Sequence, residues 1–253
     1  MDRKEREARR RQEDMALNRG LMWVGGAVIL EALLLLVNRY YINYYVKEVD
    51  LAIALKGALG VIRVGAAVVG LAALVWAVLQ YRKGGKAALP VAGCLVALTV
   101  AMCCHVTLAF QRSGVQMLFM LVPALAGLAL VFYLYQREFF PAAAAVGMSV
   151  VGLWFVRFGG MVEAVVTLVG IAVITGVVLW LKKNGGVYTG KDERKVRLLS
   201  KKTNYTVLLT SCVAALVAVA AAMVLGANVA YYLLFAMVVW LFGLLVYYTV
   251  KLM

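Results

Sequence analysis

Glu31 is the residue best placed to do chemistry, because it stands alone in an apolar run of membrane length. From Leu21 to Val37 the chain carries no other ionisable side chain. Glu31 lies twelve residues past Arg19. That is about 18 Å along a helix, near the middle of a bilayer. An acid at that depth costs roughly 2.5–3.5 kcal/mol on insertion scales, so its presence needs a reason.

Three reasons fit the residue type. The carboxylate can serve a proton- or cation-coupled site or oppose the charge of a substrate. A protonated, neutral carboxyl can bond a neighbouring helix. An ion pair with Arg63 is the third. Arg63 lies seventeen residues before Gln80 in the second apolar run. That places it about 26 Å from the inner end and about 8 Å from the level of Glu31. An arginine reaching down and a glutamate reaching up would span that gap. Arg63 can equally extend outward beside Lys56, which shares its face seven residues earlier. Glu31 and Arg63 together form the candidate intramembrane polar site.

A second group is cationic. Lys56, His105, Arg112 and Arg157, joined by Arg39 and Arg63, are expected along the outer rim. They suit an anionic headgroup or substrate, and they equally suit the anchoring of helix ends at the interface. Arg157 and Glu163 flank the tight Gly159-Gly160 turn, where an exposed pair contributes little. Cys103-Cys104-His105 resembles a metal cluster in composition alone. Consecutive helical side chains point about 100° apart, so three in a row do not converge on one ion. No metal is expected.

Catalytic patterns are missing from the sequence. It contains no phosphate-binding glycine loop, no His-Glu-x-x-His and no pair of intramembrane aspartates. Gly147-Met148-Ser149-Val150 lacks the second glycine of a serine-nucleophile elbow. Neither an enzyme nor a cofactor is expected.

The elements that must position these residues are helices in lipid. Hydrophobic residues make up 65% of the 253 positions, against about 45–50% in a soluble domain. The expected fold is all-α and polytopic, with eight transmembrane helices. They fall near 21–39, 51–80, 87–106, 115–135, 139–158, 161–181, 205–225 and 228–250. Short connections make them four antiparallel hairpins. Residues 1–20 form a charged cytoplasmic segment before a single transmembrane domain, 21–253, whose largest loop is the basic stretch 182–204. Tyr40, Tyr41, Tyr44 and Tyr45 suit an interface after the first span. Ala66 with Gly70, and Ala214, Ala215, Ala218 and Ala222, mark faces where helices approach closely. Pro123 should kink its span, and Pro141 falls in a first turn where proline is tolerated.

The net charge of +14 follows the same topology. With both termini in the cytoplasm, twenty of the twenty-six basic residues face inward, as the positive-inside rule requires. Nucleic acid is therefore not expected as a partner. Cys94, Cys103, Cys104 and Cys212 show no disulfide spacing.

The expected setting is the plasma membrane of a bacterium, with membrane lipids and another membrane protein as partners. The few polar residues within spans are Glu31, Thr99, Ser149, Thr167, Thr175, Thr210 and Ser211. A carrier of hydrophilic solutes replaces hydration with many polar contacts at mid-membrane, and these are too few. The chain therefore reads first as a non-catalytic accessory or structural subunit. The alternative is a transporter or flippase-like carrier of a lipid or hydrophobic anion, using Glu31 and the cationic outer rim.

Overall fold

The computed structural model describes Asn18 and residues 21–22, 24–82, 88–134, 139–183, 187–189, 195–197 and 204–250. Except for Asn18, the charged segment 1–20 lies outside the described residues, as does most of the basic loop 182–204. Among the described residues, seven helices are long and apolar enough to cross a membrane. They are α1 (Val24–Ile42), α2 (Val49–Arg82), α3 (Ala88–Leu134), α4 (Phe139–Arg157), α5 (Met161–Lys183), α6 (Tyr205–Leu225) and α7 (Ala227–Val250). The chain is a multi-pass membrane protein built on helices. The described residues are nearly all helical, as expected, and a small antiparallel ribbon lies between α5 and α6. Its strands are β1 (Val187–Thr189) and β2 (Lys195–Arg197), with Tyr188 opposite Val196.

The count of seven differs from the expected eight because 88–134 runs as one helical element. Its dihedrals leave the helical region at Gln111, where φ is 46° and ψ is −119°. In an unbroken helix Val106 and Gly114 would be about 12 Å apart. Instead, a Cβ on Gly114 would run into the Val106 carbonyl, with the carbonyl carbon at 3.0 Å. The chain doubles back at Gln111, and only a residue without a Cβ fits the crossing. The expected four-residue connection, Gln111 to Gly114, thus shrinks to one non-helical residue. At Pro123 the element keeps helical dihedrals.

Two compact units divide the chain: Met22–Gly127, and Leu128–Met253 together with Met1–Leu21. In the first unit, α1 ends in a π-helical turn, Asn38–Ile42, and a 3-10 turn, Val46–Glu48, leads into α2. The π turn packs on α2. Along α2 the less exposed residues include Ala52, Leu59, Arg63, Ala66, Gly70 and Ala77. Their spacing of three, four and seven defines one packed face. Gly70 is its closest approach, since a Cβ there would meet the Leu98 side chain at 2.9 Å. Most other side chains of α1 and α2 are exposed, which a lipid environment accommodates.

The second unit is built around α4, which packs against α5, α6 and α7. The run Pro141-Ala142-Ala143-Ala144-Ala145 keeps its start slender, so neighbours come close on several sides. Ala142, Ala143, Ala145, Val146, Leu153 and Phe155 are fully buried. A Cβ on Gly152 would meet the Thr167 hydroxyl at 2.5 Å and Val219 at 3.3 Å, so α4, α5 and α6 converge there. On α6 the buried residues Leu208, Cys212, Ala215, Ala218, Val219 and Ala222 include three of the four alanines read as a contact face. Gly159 and Gly226, both at positive φ, make the turns into α5 and α7.

The packing of α7 on α4 has two ends. Phe139 meets Tyr248 edge-on with ring centroids 5.6 Å apart. Eighteen residues later, Arg157 lies 4.2 Å over the Tyr231 ring. The two helices therefore run antiparallel along the whole of α4, although they are far apart in the chain.

Candidate functional site

Glu31 sits on the more buried side of α1. Ala27, Glu31, Leu34 and Asn38 are half-buried, while Val28, Ile29, Leu30, Leu33 and Leu35 are exposed. A helix turns 3.6 residues per revolution, so spacings of four, three and four keep one line. The carboxylate oxygen Oε1 of Glu31 is buried and has no hydrogen-bond partner among the described residues. A buried oxygen of this kind is costly unless it finds a donor.

Arg63 also faces inward, on the packed line of α2, and is half-buried. Among the described residues Arg63 and Glu31 form no ion pair. The register of α1 against α2 explains why. Arg39 and Glu48 pin the ends of the two helices through a 2.8 Å ion pair. Counted from that pin, Glu31 and Lys56 are each eight residues away. Each lies about 12 Å along its helix. Arg63, fifteen residues from Glu48, lies about 22 Å along. By helical rise alone, the residue of α2 as far from the pin as Glu31 is Lys56, whose side chain is exposed.

The cationic residues of the expected rim are divided between the units. Lys56 and Arg63 are on α2, His105 is half-buried on α3, and Arg112 is exposed immediately after the break at Gln111. Arg157 belongs to the other unit, exposed at the end of α4 and stacked on Tyr231. Arg39 is not a free cation. Both of its terminal nitrogens bond the Glu48 carboxylate, at 2.8 and 3.2 Å, and the guanidinium stacks 4.1 Å over Tyr45. Sequence reasoning missed this grip. The visible signal was an arginine and a glutamate at the two ends of a short tyrosine-rich connection.

Most hydroxyls within spans close on their own helix. Ser149 donates to the Val146 carbonyl at 2.6 Å, Thr167 to Ala164 at 2.8 Å and Thr175 to Ile171 at 2.8 Å. Thr107 does the same with Cys103 at 2.9 Å, and Thr210 with Thr206 at 2.9 Å. Such back-bonding satisfies the hydroxyl and takes its proton away from any ligand. Ser211 is different: it donates to Val207 and accepts from the Trp240 indole at 3.1 Å, which ties α6 to α7. Among the described residues no three His, Cys, Asp or Glu side chains are grouped so as to hold a metal ion.

Comparison with protein-family models, with curated proteins and with solved structures finds no match to this chain.

Proposed function

We propose that the chain is a non-catalytic accessory or structural subunit that binds other membrane proteins. The observation that carries this reading is the local satisfaction of the span hydroxyls. Ser149, Thr167 and Thr175 are buried, and each donates to a carbonyl three or four residues earlier. A solute pathway needs polar groups that face one another across helices. Here Ser149, Thr167 and Thr175 donate to their own backbones, and Ser211 also accepts from Trp240 of α7. The exposed apolar sides of α1 and α2 add surface that lipid or a partner helix can cover.

On this reading the reversal at Gln111 divides 88–134 into two crossings, which makes eight in all. An even number leaves both termini on one side, and the charge distribution makes that side cytoplasmic. The membrane is then the plasma membrane, and the basic loop 182–204 is available for docking on its cytoplasmic face. Carriage of a lipid or hydrophobic anion is the weaker reading, supported by Glu31 and by the cations of α2.

Purification in a mild detergent, followed by native mass spectrometry, tests the proposal. The expected result is a second membrane protein in fixed stoichiometry. Movement of a lipid or lipophilic anion across liposomes containing the purified chain alone would overturn it.

A further inference from the structure

We infer, on the basis of the accessory reading, that α1 docks a transmembrane helix of another protein whose lysine or arginine meets Glu31 inside the membrane. Glu31 stands seven residues after Val24 and eleven before Ile42, near the middle of α1. Its Oε1 is buried without a hydrogen-bond partner, and no ion pair reaches it among the described residues. The one cation of α1, Arg39, is held by both oxygens of Glu48. An acid at such depth pairs with a second polar group, because hydrocarbon offers no donor.

Beside Glu31 runs an open seam. Gly25, Val28, Ala32 and Leu35 follow one another at intervals of three, four and three residues, which keeps them on one face. All four are exposed, Val28 by 63% and Leu35 by 58%. A Cβ on Gly25 would meet nothing within 4 Å. Small residues at 25 and 32 alternate with larger ones at 28 and 35, so the ridges of a second helix can enter between them. No described residue of α1 is buried, whereas α4 buries ten. This face of α1 is therefore left uncovered.

Glu31 decides what covers the seam. It falls one residue before Ala32, at the edge of the line through 25, 28, 32 and 35. In a coiled pair of helices that edge carries the charges that select the partner. A lipid chain would fill the seam and give the carboxyl no donor. A helix with an apolar face and one basic residue supplies both, and a helix with an acid at this level is repelled. Glu31 is half-buried rather than enclosed. The last torsion of a glutamate is broad and two-fold, so either oxygen can take the bond without movement of α1.

The test places a photo-reactive amino acid in the full chain, in its own membrane. It replaces Val28 or Leu35 on the seam and, in separate proteins, Leu30 or Leu33 away from it. Mass spectrometry of the adducts identifies the captured segment. The expected product from 28 and 35 is an apolar helix of another protein with a lysine or arginine inside its span, and 30 and 33 should yield little of it. Glu31→Gln should lower that adduct about fivefold or more, the scale of one polar contact between helices in a membrane. Exchange of charge, Glu31→Lys together with a glutamate in place of the partner's base, should restore it. Adducts with lipid alone, with a second copy of this chain or with a helix lacking a base would overturn the inference. An adduct undiminished by Glu31→Gln would do the same. If Glu31→Gln does not fold, wild type still decides, since equal capture from 28 and 33 would overturn the seam. A partner that co-purifies in fixed stoichiometry but is captured elsewhere removes only the seam and leaves the accessory reading intact. Absence of any partner removes both.

Discussion

Glu48 grips Arg39 with both carboxylate oxygens, at 2.8 and 3.2 Å, and the same carboxylate accepts the Tyr45 backbone N–H at 3.1 Å. This joins the end of α1 to the start of α2 and sets their register. A hairpin of two apolar helices has little else to fix it, because lipid and side chain are equally apolar and sliding costs little. By helical rise alone, Lys56 is as far from the pin as Glu31. By the same measure Arg63 stands about 10 Å further along, and among the described residues it forms no ion pair.

The pin should respond to exchange of its charges. Glu48→Arg alone places two cations together and should lower the unfolding temperature in detergent. Arg39→Glu with Glu48→Arg restores opposite charges and should recover at least half of that loss. No recovery would mean that the geometry, including the Tyr45 contacts, matters more than the sign of the charges.

The register can be read by cross-linking. In a background lacking the four native cysteines, cysteines at 31 and 56 should be joined by a short bifunctional reagent. Cysteines at 31 and 63 should react far less. The reverse order would place Arg63 level with Glu31.

Gly114 should tolerate no side chain. A Cβ there meets the Val106 carbonyl at the reversal of α3. Gly114→Ala should destabilise by roughly 1–3 kcal/mol, the range for overpacking. Gly93 on the same element has nothing within 4 Å of the added carbon, so Gly93→Ala should stay within about 0.5 kcal/mol. Unfolding followed by circular dichroism during detergent titration separates the two.

Gly152 makes a comparable close approach between α4 and α5, and here a second change can relieve it. Gly152→Ala brings a carbon against the Thr167 hydroxyl. A loss of about 1–3 kcal/mol is expected. Thr167→Ala removes the opposing atom, so the double variant should be more stable than Gly152→Ala. Strict additivity of two losses would show that the contact is not the cause.

Glu31→Gln should fold with near-normal stability, because a neutral amide replaces a carboxyl that has no ion pair among the described residues. The check is the yield of monodisperse protein and its unfolding temperature. Failure to fold would mean that Glu31 is ionised and paired in the membrane.

Much of the architecture was legible in residue order alone. The turns at Gly159-Gly160 and Gly226 fell where expected, as did Pro141 in the first turn of α4 and the close approach at Gly70. These are local signals: a break in hydropathy, a residue able to take positive φ, a small side chain on an apolar face. The ribbon pairing Tyr188 with Val196 was not legible, since a short basic loop carries no strand pattern strong enough to announce it. The Arg39–Glu48 pin was missed for a different reason. The residues were visible, but the π and 3-10 turns that bring them together were not.

Sequence alone determined that this chain has several helices apolar enough for lipid, and that Glu31 is exceptional among their residues. Those properties follow from transfer of side chains between water and hydrocarbon, which depends on composition along the chain. Tertiary structure alone decided that α7 lies antiparallel along α4, with Phe139 on Tyr248 and Arg157 on Tyr231. It also decided that the hydroxyls of Ser149, Thr167 and Thr175 close on their own helices, and that Arg39 pairs with Glu48. Apolar faces are interchangeable to a hydropathy pattern. Which of them meet, and at what offset, is settled by a few small residues and one charged pin.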